Sequence, residues 1–64
     1  MDDHLYRLFQ RHEAAKNKNE AKQRAIELLF ELRSRFKNGK MSAEKYDQNM
    51  GKMLRIARVK KWGY

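Results

Sequence analysis

Apolar residues recur at helical spacing in three stretches of the chain: Leu5, Leu8 and Phe9 with His12; Ala25, Leu28, Leu29, Leu32 and Phe36; then Tyr46, Met50, Met53, Leu54 and Ala57. Nothing alternates with the two-residue period of a strand. The pattern predicts an all-α fold, a small three-helix domain with helices near 3–15, 19–37 and 43–60 and an antiparallel helical hairpin between the last two. An alternative is one long helix over 4–37 plus a short second helix. Such a rod carries only Ala and His on any apolar face between residues 10 and 24, so it needs a second chain to cover it and would be dimeric. A break is favoured because a short chain needs Leu5, Leu8 and Phe9 folded back to build a core.

Local signals place the boundaries. Arg33, Arg35 and Lys37 complement the negative end of a helix dipole, and Gly39 can take the left-handed conformation that closes a helix. Ser42 then reads as the next N-cap, with Glu44 favourable in the first turn and Met41 and Tyr46 placed as a hydrophobic staple. A connection this short makes the two helices antiparallel, and Leu29, Leu32, Phe36, Met50, Met53 and Leu54 are expected to share one core. Upstream, Asn17 followed by Glu20 resembles a capping box that starts a helix near residue 18. The absence of proline leaves little to interrupt these helices.

The stretch from Leu28 to Leu54 carries a recognisable order. It runs Leu28, Leu29, Leu32, Phe36, Gly39, Lys40, Met41, Ser42, Ala43, Glu44, Lys45, Tyr46, then Met53 and Leu54. This resembles the SHOCT domain, a helical hairpin in which a leucine-spaced helix ends at Gly, Ser or Thr caps the next helix, and an aromatic and two leucines face back. Lys45 departs from the glutamate the family prefers before the aromatic. The resemblance implies an oligomerisation or binding module and no chemistry.

Length bounds the function. Sixty-four residues make a single domain over 1–64, with residues 60–64 as a basic and aromatic tail. A chain of this size buries only about 60% of its unfolded surface, which leaves little to enclose a substrate cleft. With no cysteine there is neither a disulfide nor a thiolate metal site, and the expected location is cytoplasmic. The longest apolar run, Ile26 to Phe30, is interrupted by Glu27, so no membrane span is expected. The acidic start Met1-Asp2-Asp3 fits neither a secretory signal nor a transit peptide.

Candidate chemistry is sparse. His4 and His12 stand eight residues apart, too far for adjacent turns of one helix to share an ion, and are expected to be partly exposed; no metal site or cofactor is expected. Glu27 and Glu31 share a helix face, but Arg24 and Arg35 at helical spacing make surface ion pairs the expected outcome. Ser34 and Ser42 have no neighbouring histidine, so no nucleophile is assigned, and the chain is expected not to be an enzyme.

Charge is what changes the picture. Sixteen Lys and Arg against eight Asp and Glu give a net +8, and residues 41–64 hold six basic groups and two acids. After Asp47 no acid follows, while Lys52, Arg55, Arg58, Lys60 and Lys61 do, interleaved with Ile56 and Val59 and ending in Trp62-Gly63-Tyr64. Lys52, Arg55, Ile56, Arg58, Val59, Lys60, Lys61 and Trp62 are therefore the candidate partner-binding residues, with Ile56, Val59, Trp62 and Tyr64 expected as an exposed apolar patch. The first reading is a small helical regulator or adaptor that binds a larger protein with an acidic surface. The alternative is a nucleic-acid-binding protein whose C-terminal helix contacts phosphates. A homo-oligomer stays open, as does a membrane-surface role for the basic tail.

Overall fold

The computed structural model describes residues 3–63, so Tyr64 of the expected tail and Met1 and Asp2 at the start lie outside the described residues. Within them the chain forms α1 (Asp3–Glu13), α2 (Lys18–Lys37) and α3 (Ala43–Val59), an all-helical domain of three helices. The helix boundaries follow from caps. Asn17 is extended (φ −152°, ψ 174°), and its side-chain oxygen accepts from the backbone N–H of Glu20 at 2.9 Å, so α2 begins at Lys18. Just upstream, the Ala15 N–H donates to the His12 carbonyl at 3.3 Å, a tightened turn that ends α1 at Glu13, two residues before the predicted end. The long rod over 4–37 is thereby replaced by two helices that fold back on one another. The length of α2, 20 residues at about 1.5 Å each, accounts for the 33 Å long axis of the molecule.

Both α2 and α3 end in the same hydrogen-bonded motif. After α2, the Gly39 N–H donates to Phe36 O (3.2 Å) and the Lys40 N–H to Arg35 O (2.8 Å), with Gly39 at φ +73°. After α3, the Lys61 N–H donates to Arg58 O (3.1 Å) and the Trp62 N–H to Ala57 O (3.0 Å), with Lys61 at φ +60°. The second motif thus holds a lysine in the backbone conformation where the first holds glycine. A Cβ in the left-handed region is disfavoured by about 1 kcal/mol, so Lys61→Gly is expected to stabilise the domain by up to about that amount and Gly39→Lys to cost a similar one. Thermal melts of the two variants check this: opposite shifts in Tm are expected.

At the hairpin, Ser42 Oγ accepts from the Lys45 N–H at 3.2 Å, the capping role its position predicts. Met41 and Tyr46 are half-buried against the core, as a staple requires.

The core has two linked parts. Leu8 and Phe9 of α1 pack with Ala25, Leu28 and Leu32 of α2 and Met53 of α3, flanked by Leu5, Leu29, Met50 and Tyr46. At the far end Ala21, Ala57 and Trp62 form the second part, and Ile56 packs against both. Of the expected core, Leu32 and Met53 are buried and Leu29 and Met50 half-buried. Phe36 and Leu54 are instead 44% and 48% exposed. The reason is where α1 sits. Leu8 and Phe9 hold α1 against α2, and Arg11 and His4 lie 4.0 Å and 3.7 Å from the carboxylates of Glu27 and Glu31, which marks the flank of α2 that α1 occupies. Phe36 and Leu54 lie toward the other flank, and Phe36 stacks on Tyr46 at 4.9 Å. The expected intrahelical pairs also form, Arg24 with Glu27 at 3.1 Å and Arg35 with Glu31 at 2.8 Å.

His12 corrects another expectation. Rather than partly exposed, it is fully buried, its ring meeting the Trp62 indole edge-on with centroids 5.1 Å apart. His4, in contrast, is well exposed. Burial pushes the His12 imidazole below its ordinary value by desolvating the charged form, against a smaller opposing pull from Glu13. The unfolded chain therefore takes up the proton more readily than the folded one. Stability from a neutral His12 is complete above pH 6.5 and is lost as the pH falls from there toward the lowered folded-state value. In a His4→Gln background, where one imidazole remains, Tm is expected to drop between pH 7.5 and 5.5 (about one unit either side of the ordinary histidine value). A further His12→Gln substitution should flatten that dependence.

Candidate partner-binding surface

The C-terminal half of α3 is positioned by what its inward side buries. Met53 and Ala57 face the core, which turns Lys52, Ile56 and Val59 toward α1 and leaves Arg55 and Arg58 exposed. Lys52 stretches across to α1, its ammonium 4.5 Å from the centre of the Phe9 ring. One turn further on, Arg55, Ile56, Val59 and Lys60 line a shallow groove of about 160 Å³ closed on the other side by Glu13 of α1. The floor is apolar: Ile56 is half-buried and Val59 72% exposed.

Cations dominate the rim. Among the described residues no ion pair engages Arg55, Arg58, Lys60 or Lys61, so their charge is free to meet a partner. Arg58, Lys60 and Lys61 also stand where the last carbonyls of α3 favour positive charge, a stabilisation of about 0.3–1 kcal/mol per group that asks for no partner. Glu13 is the single acid of the groove.

The candidate residues divide. Arg55, Ile56, Val59 and Lys60 come together in the groove, with Lys52 beside it over Phe9. Arg58 is turned to the other side of α3, where it lines a separate hollow with Leu54, Ala57 and Gly63. Lys61 is exposed at the helix end. Trp62 leaves the set as an exposed anchor. The left-handed turn at Lys61 carries the chain back over the helix end, and the indole, 9% exposed, fills the space beside Ala21 and Ala57. The exposed patch expected of Ile56, Val59, Trp62 and Tyr64 thus reduces, among the described residues, to Val59 and part of Ile56.

Sequence reasoning missed Glu13, which reaches the groove only through the folding back of α1. It also read Ile26 and Phe30 only as an interrupted apolar run, although both remain exposed, at 52% and 69%. Their spacing of four residues on one helix was the available signal.

Among the described residues no group of three His, Asp or Glu is arranged to hold a metal ion, and no helix is long and apolar enough to cross a membrane. A further open depression is lined by Glu31, Ser34, Arg35, Asn38 and Lys40, and its Glu31 carboxylate is already paired with Arg35. Comparison with family models, with curated proteins and with solved structures gives no match.

Proposed function

We propose that the chain is a non-enzymatic helical adaptor or regulator that docks through the end of α3 onto an acidic surface of a larger protein. The observation that carries this reading is the groove of Ile56 and Val59 edged by Arg55 and Lys60. It pairs an apolar floor with cations that are in no ion pair among the described residues. The hairpin from Leu28 to Leu54, with its likeness to a SHOCT domain, supports a binding role of the same kind.

Arg55→Glu with Lys60→Glu, the two cations that line the groove, is the direct test. Both side chains are exposed, so helix content should be kept, with stability lowered by about 0.5 kcal/mol or less at Arg55 and by up to about 1 kcal/mol at Lys60, where the helix end favours a cation. The wild-type chain is expected to retain a stoichiometric protein partner from nuclease-treated extract of the source cell, and the double variant to lose it. Full retention by the variant would remove this surface from the account.

Nucleic-acid binding is the second reading, supported by the same unpaired cations and by the net charge of +8. The apolar floor favours the first. Phosphate contact has no use for an exposed Val59.

A further inference from the structure

The flank of the hairpin turned away from α1 is a second surface, on the other side of the molecule from the groove of Ile56 and Val59. At about 3.6 residues per turn, Lys22, Ile26, Leu29, Arg33 and Phe36 occupy that flank of α2, with Phe30 at its outer edge. Met50, Leu54 and Arg58 face it from α3. Four of the six large apolar side chains exposed among the described residues, Ile26, Phe30, Phe36 and Leu54, fall on this one face. Ile26, Leu29, Phe30 and Arg33 already form a hollow of about 180 Å³. Exposed apolar residues scattered singly need no explanation, but their concentration on one face marks a contact site.

Charge says what would cover it. All three acids of α2, Glu20, Glu27 and Glu31, point to the flank that carries α1, and two of them are in ion pairs there. The opposite flank holds Lys22, Arg33 and Arg58, none in an ion pair among the described residues, against the single acid Asp47. A second copy of this chain would bring those cations against one another and would meet a molecule of net charge +8. An amphipathic helix edged with Asp and Glu would match both the apolar row and the charge. Helix α1 covers one groove of the hairpin. The other side carries one hollow on α2, lined by Ile26, Leu29, Phe30 and Arg33, and one on α3, lined by Leu54, Ala57, Arg58 and Gly63, and an apolar stripe of a helix from elsewhere would lie across them.

We infer that the open α2/α3 face, built on Ile26, Leu29, Phe30 and Leu54 with Lys22, Arg33 and Arg58 at its edges, binds an acidic amphipathic helix of a partner protein as the fourth helix of a bundle. The test titrates two synthetic peptides into the isotope-labelled full chain. Both carry leucine at i, i+3, i+4 and i+7, one flanked by glutamates and the other by lysines. The glutamate peptide is expected to shift the amide signals of Ile26, Leu29, Phe30 and Leu54, and the lysine peptide to leave them in place. Phe30→Glu with Leu54→Glu should weaken the acidic peptide at least about tenfold. Lys22→Glu with Arg33→Glu, which reverses two charges and leaves Ile26, Leu29, Phe30 and Leu54 in place, should also weaken it while leaving the helical spectrum unchanged. The inference is overturned by the absence of binding, by equal binding of the two peptides, or by shifts confined to Ile56 and Val59. Sedimentation of the chain alone as a dimer that Phe30→Glu dissociates would also overturn it, by giving the face to a second copy.

Discussion

Trp62→Ala is expected to unfold much of the domain. The indole is 9% exposed and closes the end of the helical core against Ala21, Ala57 and His12. Truncating a buried tryptophan to alanine costs about 3–5 kcal/mol. A single core in a chain this short supplies about 3–5 kcal/mol in total. The substitution therefore removes most of what holds the helices together, and the loss of Trp62 also uncovers His12 to solvent. Circular dichroism melts check the loss of cooperativity. In the wild-type chain Trp62 is the only tryptophan, so protection of its fluorescence from acrylamide reports the same burial. A variant that melts like the wild type would mean that the indole is a surface group after all.

Leu32→Ala is the second large effect. Leu32 is fully buried and packs in the main cluster with Leu28, Phe9 and Met53, so removing the atoms beyond its Cβ leaves a cavity among them. The cost is about 2–5 kcal/mol, set by how far the neighbours relax. Denaturant unfolding at neutral pH measures it through the midpoint, at unchanged slope if the denatured state is unaltered. Phe36→Ala provides the contrast. That ring is 44% exposed and lies on Tyr46, so its removal should cost clearly less than that of Leu32.

The hairpin and the break near residue 17 were legible because they rest on local chemistry. Asn17, Gly39 and Ser42 adopt the conformations and hydrogen bonds their residue types favour at helix ends. The periodicity of α2 and α3 likewise placed Leu32 and Met53 inside. What was not legible depends on the packing of α1. Period alone gives a helix a broad apolar arc, and only the position of α1 decides that Leu28 sits at its centre while Phe36 and Leu54 fall toward the open side. The fate of Trp62 had no periodic signal at all. It lies beyond the last helical residue, and its burial depends on a lysine taking a left-handed conformation that sequence statistics assign to glycine. His12 was placed on the apolar stripe of α1 by its spacing, yet its complete burial follows from the indole that folds onto it.

Of the candidate residues, the exposure of the charged side chains was legible and the burial of Trp62 was not. Among the described residues no ion pair engages the basic residues after Asp47, but the apolar side chains beside Arg55 and Lys60 are Ile56 and Val59, with Glu13 opposite, and not the tryptophan.

The salt dependence of binding tests the central claim most directly. Affinity for the captured protein partner and for a mixed-sequence DNA duplex would be measured side by side from about 50 to 200 mM salt, the range over which a protein making several phosphate contacts loses about three to five orders of magnitude. The account expects the protein complex to keep most of its affinity across that range, because Ile56 and Val59 contribute burial that salt does not screen, while any DNA binding collapses. A protein complex that weakens as steeply as the DNA complex, with duplexes of any sequence bound equally well or better, would contradict it.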